Sequence, residues 1–249
     1  MHYKYLIQTG SHFTLAKRHR LFNMKDYRVT KQQLSPILRG TWRLIVYGLL
    51  VFLLAEFMFW EAGREVEGDK FTESSYVEYL QTVLLLLSCL LLIWTYQKFH
   101  AFRYTAVLMF GFLGASLIRE QDVFFETYIG MSTWQIPVYA LLAGVVYIII
   151  KNLSVFLVEL EEYIVSTPFG LFLMGLLTTY VFSRLFGRTV FWNAVMEDSY
   201  FRTVKNAAEE CLELYGYLII FISVIELLLL AKKRTQLWEN QLQPRQLAA

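Results

Sequence analysis

Six ionisable residues fall within stretches otherwise too apolar to hold them: Glu56, Arg119, Asp122, Arg184, Glu210 and Glu213. An ionised side chain at the centre of a membrane helix costs about 2.5–3.5 kcal/mol on insertion scales, so each needs a partner, water or a task. Carboxylates in such a place hold a cation or a proton, whereas arginines hold an anionic group or keep the carboxylates ionised. Arg119 and Asp122 are three residues apart and share a helix face, with Glu120 between them. Arg184 and Glu213 lie in the last two apolar blocks, where a hairpin brings them to one depth and makes them natural partners. Glu56 has no evident partner.

Structural explanations compete for several of these charges. Glu78 follows Ser75 by three residues and Glu209 follows Asn206 by three, which is capping-box spacing, as is Gln135 after Ser132. A carboxylate at the positive end of a helix needs no further role. Arg119 with Asp122 or Glu120 suits an interfacial ion pair, since long arginine side chains snorkel to the surface. Glu226 is relieved by the Lys232-Lys233-Arg234 run and reads as structural. Glu213 escapes the capping explanation because it lies about 10 Å along the helix from Asn206. For Glu213 the structural and functional readings balance.

Enzyme chemistry has little to build on. The four histidines (His2, His12, His19, His100) lie outside the apolar blocks, so a zinc hydrolase that needs intramembrane histidines is disfavoured. Cys89 and Cys211 sit within apolar blocks and supply neither a disulfide framework nor a zinc pattern. No Ser/His arrangement, P-loop or dinucleotide fingerprint stands in a suitable context. The cofactor is unspecified by sequence, and a carboxylate-ligated metal is the one metal chemistry left open.

The elements that must position these residues are membrane helices. Of 249 residues 56% are hydrophobic and 17% aromatic, with 18% charged, a balance foreign to soluble domains. The expected fold is all-α, a polytopic bundle of six transmembrane helices at about 44–61, 76–97, 103–122, 134–150, 168–187 and 207–231. Residues 1–43 form a basic arm, expected to be retained and to attract anionic lipid, and 232–249 form a tail. Segment 152–165 carries Glu159, Glu161 and Glu162 on an apolar background and reads as an interfacial or cytoplasmic helix rather than a seventh span. Its acids could contact the basic arm. The arm, tail and alternate loops hold sixteen Lys/Arg against six on the other side, which places both termini in the cytoplasm. Ser166-Thr167-Pro168 supplies a cap and first-turn proline for the fifth span. Gly111, Gly114 and Gly144 allow close helix approach.

This gives a multi-pass protein of the cytoplasmic (inner or plasma) membrane, with the charged cluster facing outward. The near-neutral net charge of +2 gives nucleic acid no footing. The leading functional expectation is a site for a cation, a proton-coupled solute or a lipid headgroup, in a transporter or binder. Next comes a non-catalytic accessory or assembly subunit, which would meet other membrane subunits or a second copy of itself. A lipid hydrolase or transferase ranks last.

Overall fold

A computed structural model describes residues 31–64, 71, 75–122, 127–128, 130 and 133–246, with only the backbone described at 31–37, 39 and 241–246. Most of the expected basic arm, residues 1–30, and the Ser132 cap lie outside the described residues. The chain divides into two units, 1–49 and 50–249.

The described structure is all helix. Helix α1 (Lys31–Gly63) begins in the first unit and ends in the second; α2 is Tyr76–Lys98, α3 Arg103–Arg119, α4 Gln135–Lys151 and α5 Leu153–Ile164. Then come α6 (Thr167–Leu177), a π-helical turn (Thr178–Phe182) and α7 (Ser183–Phe186), which together make one rod. Helix α8 (Thr189–Met196) and α9 (Arg202–Gln246) complete the chain. Among the described residues, four helical stretches are long and apolar enough to cross a membrane: Gly40–Gly63, Tyr76–Lys98, Thr167–Phe186 and Arg202–Asn240. The pair α4 and α5, bent by 98° between Lys151 and Leu153, makes a fifth if it is one broken span. The chain is a multi-pass membrane protein. Each of the six expected spans coincides with a helix, but α3 and α4, at 17 residues each, reach only about 26 Å at 1.5 Å per residue.

In the first unit, Leu38, Trp42, Leu44, Ile45 and Leu49 of α1 are all exposed, as suits a lipid-facing surface. In the second unit α9 is the central element, packed chiefly on α6 and α2, with α3 against α2 and α4 against α3. Its buried residues include Leu214, Tyr217, Leu218, Ile220, Val224 and Leu227. Packing between membrane helices depends on close approach, since lipid tails are as apolar as leucine. Glycine provides that approach where α6 crosses α9: a Cβ on Gly175 would lie 2.6 Å from Ile220 Cγ1 and 3.0 Å from the Gly216 carbonyl. Between α3 and α4 the same device recurs, a Cβ on Gly111 lying 2.9 Å from Val145 and one on Gly114 2.9 Å from Leu141. Gly144 meets nothing within 4 Å.

Helix ends show which local signals were decisive. Ser75 caps α2, its hydroxyl accepting the Glu78 N–H at 3.4 Å as the capping-box spacing predicts. Asn206 is no cap, because α9 begins at Arg202 and Asn206 lies within it. The Ser166 hydroxyl donates to the Tyr163 carbonyl at 2.6 Å instead of capping α6, while Pro168 occupies the first turn as expected. Helix α9 also continues without a break past residue 231, the expected end of the last span.

Segment 152–165 is a separate helix, and its buried face, Phe156, Glu159 and Tyr163, packs against α3. The Glu159 carboxylate accepts the N–H groups of Arg103, Tyr104 and Thr105 at 2.8–2.9 Å, so one helix supplies the N-terminal cap of another. Glu162 pairs with Arg234 of α9 at 3.0 Å. Glu159→Gln replaces a carboxylate facing three donors by an amide and is expected to destabilise the bundle by about 1–2 kcal/mol. A lowered thermal midpoint in detergent, absent for Glu161→Gln, checks this.

Candidate functional site: a buried charged network between α2, α3, the α6–α7 rod and α9

The network lies near the bundle end that carries the start of α2 and the end of α3. Glu210, Glu213 and Tyr217 are spaced three and four residues apart and so form one stripe on α9, about 10 Å long. Glu213 is buried, 5% exposed, although it is ionisable and lies among apolar neighbours. Its Oε1 receives Arg184 Nη2 at 3.1 Å and the Ser183 hydroxyl at 3.2 Å. Arg184 also reaches Glu209 at 3.3 Å through Nη1, and Lys205 closes on the other Glu209 oxygen at 3.1 Å. Glu210 accepts Gln81 Nε2 of α2 at 2.9 Å.

The deeper part is a line of hydroxyls. Tyr217 donates to Glu120 Oε1 at 2.9 Å, and that oxygen also receives Arg119 Nη2 at 3.2 Å. Tyr180 donates to the Ser116 hydroxyl at 2.6 Å, and Ser116 donates to the Phe112 carbonyl at 3.0 Å. The two tyrosine oxygens are 3.4 Å apart. Ser116 and Glu120, the residue that caps the C-terminus of α3, are four residues apart, so one face at the end of that helix supplies both ends of the line.

A local irregularity sets the register. In the π turn the Ser183 N–H reaches back to the Thr178 carbonyl. The hydroxyls of Thr178 and Ser183 bond to the carbonyls of Met174 and Thr179, four residues earlier in each case. Thr179, on the inside of this turn, donates to the Glu213 carbonyl at 3.4 Å and packs directly on Gly216. Single π turns interrupt helices most often at functional positions.

Of the sequence candidates, Arg184 and Glu213 are direct partners, as expected, and Glu210 and Arg119 join the same region. Arg119 bonds to Glu120, one of the two partners proposed for it. Glu56 is exposed on α1, and no hydrogen bond or ion pair among the described residues ties it to the network. Glu209, assigned to a cap by its spacing, is an ion-pair member instead. Gln81, Ser116, Tyr180, Ser183 and Tyr217 were not taken as site residues from the sequence, although three- and four-residue spacings from charged residues (Glu78–Gln81, Ser116–Glu120, Tyr180–Arg184, Glu213–Tyr217) mark all of them but Ser183. Among the described residues no three His, Cys, Asp or Glu side chains converge as a metal set.

Comparison with protein-family models, with curated proteins and with solved structures gives no match to this chain.

Proposed function

We propose that this network is a membrane-embedded binding site for a proton or a small cation, centred on Glu213 and Glu210, in a transporter or binder. The observation that supports this reading is charge balance. Among the described residues, Glu120, Glu209, Glu210 and Glu213 are four carboxylates facing three cations, Arg119, Arg184 and Lys205. Glu213 lies within electrostatic range of the other three carboxylates and of Arg119, while sharing its one ion-paired arginine, Arg184, with Glu209. An excess negative charge away from water is unfavourable unless a proton or cation joins it. Glu210, held by a neutral amide, is the position where that charge is least compensated.

The hydroxyl line suits a shared proton. With Glu120 ionised, Tyr217 donates to it and Tyr180 donates to Ser116. With Glu120 protonated, the same oxygens support the reverse order, Glu120 to Tyr217 to Tyr180, by rotation of hydroxyls alone. A six-span arrangement with both termini in the cytoplasm puts the site in the outer third of the membrane. That orientation rests on the sixteen-to-six Lys/Arg asymmetry.

The second reading, an accessory subunit, draws on α1, whose Phe52, Leu53, Phe59 and Trp60 are exposed and free to meet another chain. Native mass spectrometry of gently solubilised wild type and Glu213→Gln separates the two. A small cation adduct on the wild type that is absent from Glu213→Gln supports the site. A second polypeptide retained by both forms, with no adduct on either, supports the subunit.

A further inference from the structure

We propose that a groove between α2, α3 and α4, away from the charged network, holds one acyl chain of an anionic phospholipid whose phosphate rests on Arg103 and Lys151. The groove has a volume of about 320 Å³, within the usual range of ligand sites. Its walls include Leu92, Tyr96, Val107, Phe110, Leu141 and Gly144, with no ionisable group other than the Tyr96 phenol. Its shape follows from the glycines. Gly111 and Gly114 hold α3 against α4 at Val145 and Leu141, while at Gly144 a Cβ would meet open space.

Charge complementarity selects the occupant. Helices α2, α3 and α4 are consecutive and reverse direction at each connection, so the end of α2, the start of α3 and the end of α4 meet at one edge of the bundle. Those ends are Lys98, Arg103 and Lys151. Arg103 is fixed there: its Nε donates to the Tyr96 carbonyl at 3.0 Å and its guanidinium lies 5.3 Å from the Tyr96 ring centre. Lys151 stands one turn beyond Ile148, a groove residue, and its ammonium lies 6.0 Å from the Tyr147 ring centre. The carboxylate at this corner, Glu159, is engaged with the backbone N–H groups of α3. An apolar slot ending in cations that no carboxylate among the described residues pairs with fits an acyl chain joined to a phosphate, whereas a neutral lipid leaves the cations unused.

The test reconstitutes the full chain in phosphatidylcholine bilayers that contain either phosphatidylglycerol or phosphatidylcholine spin-labelled at the same acyl carbon. The motionally restricted fraction is read by electron spin resonance. Wild type is expected to prefer the anionic lipid by roughly fivefold or more, the effect of one or two basic residues at a membrane surface. Arg103→Gln with Lys151→Gln should lower that preference severalfold, to the level that the basic arm and tail support. Gly144→Leu fills the groove and should lower it as far with every surface charge retained. Ala140→Phe does the same from the adjacent turn and serves if Gly144→Leu does not fold. No preference in the wild type would overturn the proposal, as would a full preference in a folded groove-filling variant, which would make the attraction a property of the surface charges alone. Release of a second polypeptide, rather than lipid, by the groove-filling variants would also overturn it.

Discussion

Gly216→Ala is expected to lower stability more than any other single-methyl addition among the described residues. The new Cβ would overlap the Thr179 hydroxyl, sit 2.9 Å from the Thr179 backbone nitrogen and lie 3.1 Å from the Gly175 carbonyl. A flexible side chain can give way, but backbone atoms on a facing helix yield only if α9 and the α6–α7 rod separate. Overpacking of this kind costs about 1–3 kcal/mol, and here it strikes the crossing that sets the register of Thr179, Ser183 and Arg184. Gly175→Ala is expected to follow closely. Gly144→Ala, with open space at its Cβ, should be neutral or slightly stabilising, because alanine favours helix over glycine. Thermal unfolding of the three variants in one detergent checks the order. Thr179→Ala in the Gly216→Ala background should recover only part of the loss, since the backbone overlap remains.

Arg184→Gln carries the second large effect. It leaves Glu213 buried with a serine hydroxyl in place of a cation and takes one of the two cations from Glu209. Leaving a buried polar group without its partner costs about 1–3 kcal/mol, and more when it is charged, but Arg184 itself is half-exposed and its pairing is screened, so we expect a loss in that range. Glu213→Gln in the same chain should restore most of it, because the amide no longer demands a cation. A double-mutant cycle measured by unfolding should therefore give a coupling of about 0.5–3 kcal/mol. Simple additivity would show that Arg184 acts through its packing.

What could be read from the sequence follows the range over which each signal acts. Ser75 and Glu78 lie in one turn, and their cap was legible from spacing alone. The Arg184–Glu213 pair was legible because charge in an apolar block demands compensation and a hairpin brings matching depths together. The same cap rule misplaced Asn206, since α9 starts one turn earlier at Arg202 and leaves Glu209 free to pair across to Arg184. Tyr180 and Tyr217 were missed because a tyrosine in an apolar helix is unremarkable until its hydroxyl has a partner on another helix. The π turn leaves no mark that composition or periodicity detects. Glu159 was recognised as a charge needing an explanation, but its place on the α3 N-terminus depends on the bend after Lys151, which lacks glycine or proline to announce it. Residues 152–165, read as a continuation of the fourth helix or a helix on the membrane surface, form a helix bent by 98° from α4, and Glu162 pairs with Arg234, while most of the basic arm proposed as its partner lies outside the described residues.

Difference infrared spectroscopy of the reconstituted protein tests the central claim most directly. Carboxyl protonation would be followed as pH is changed, with and without added monovalent or divalent cation, in wild type, Glu210→Gln and Glu213→Gln. The account predicts a protonated-carboxyl band in the wild type that weakens when a cation is added and is lost or shifted in both variants. A wild-type spectrum that responds to neither pH nor cation, or one unchanged in both variants, would contradict it and leave the network as a structural lattice of ion pairs.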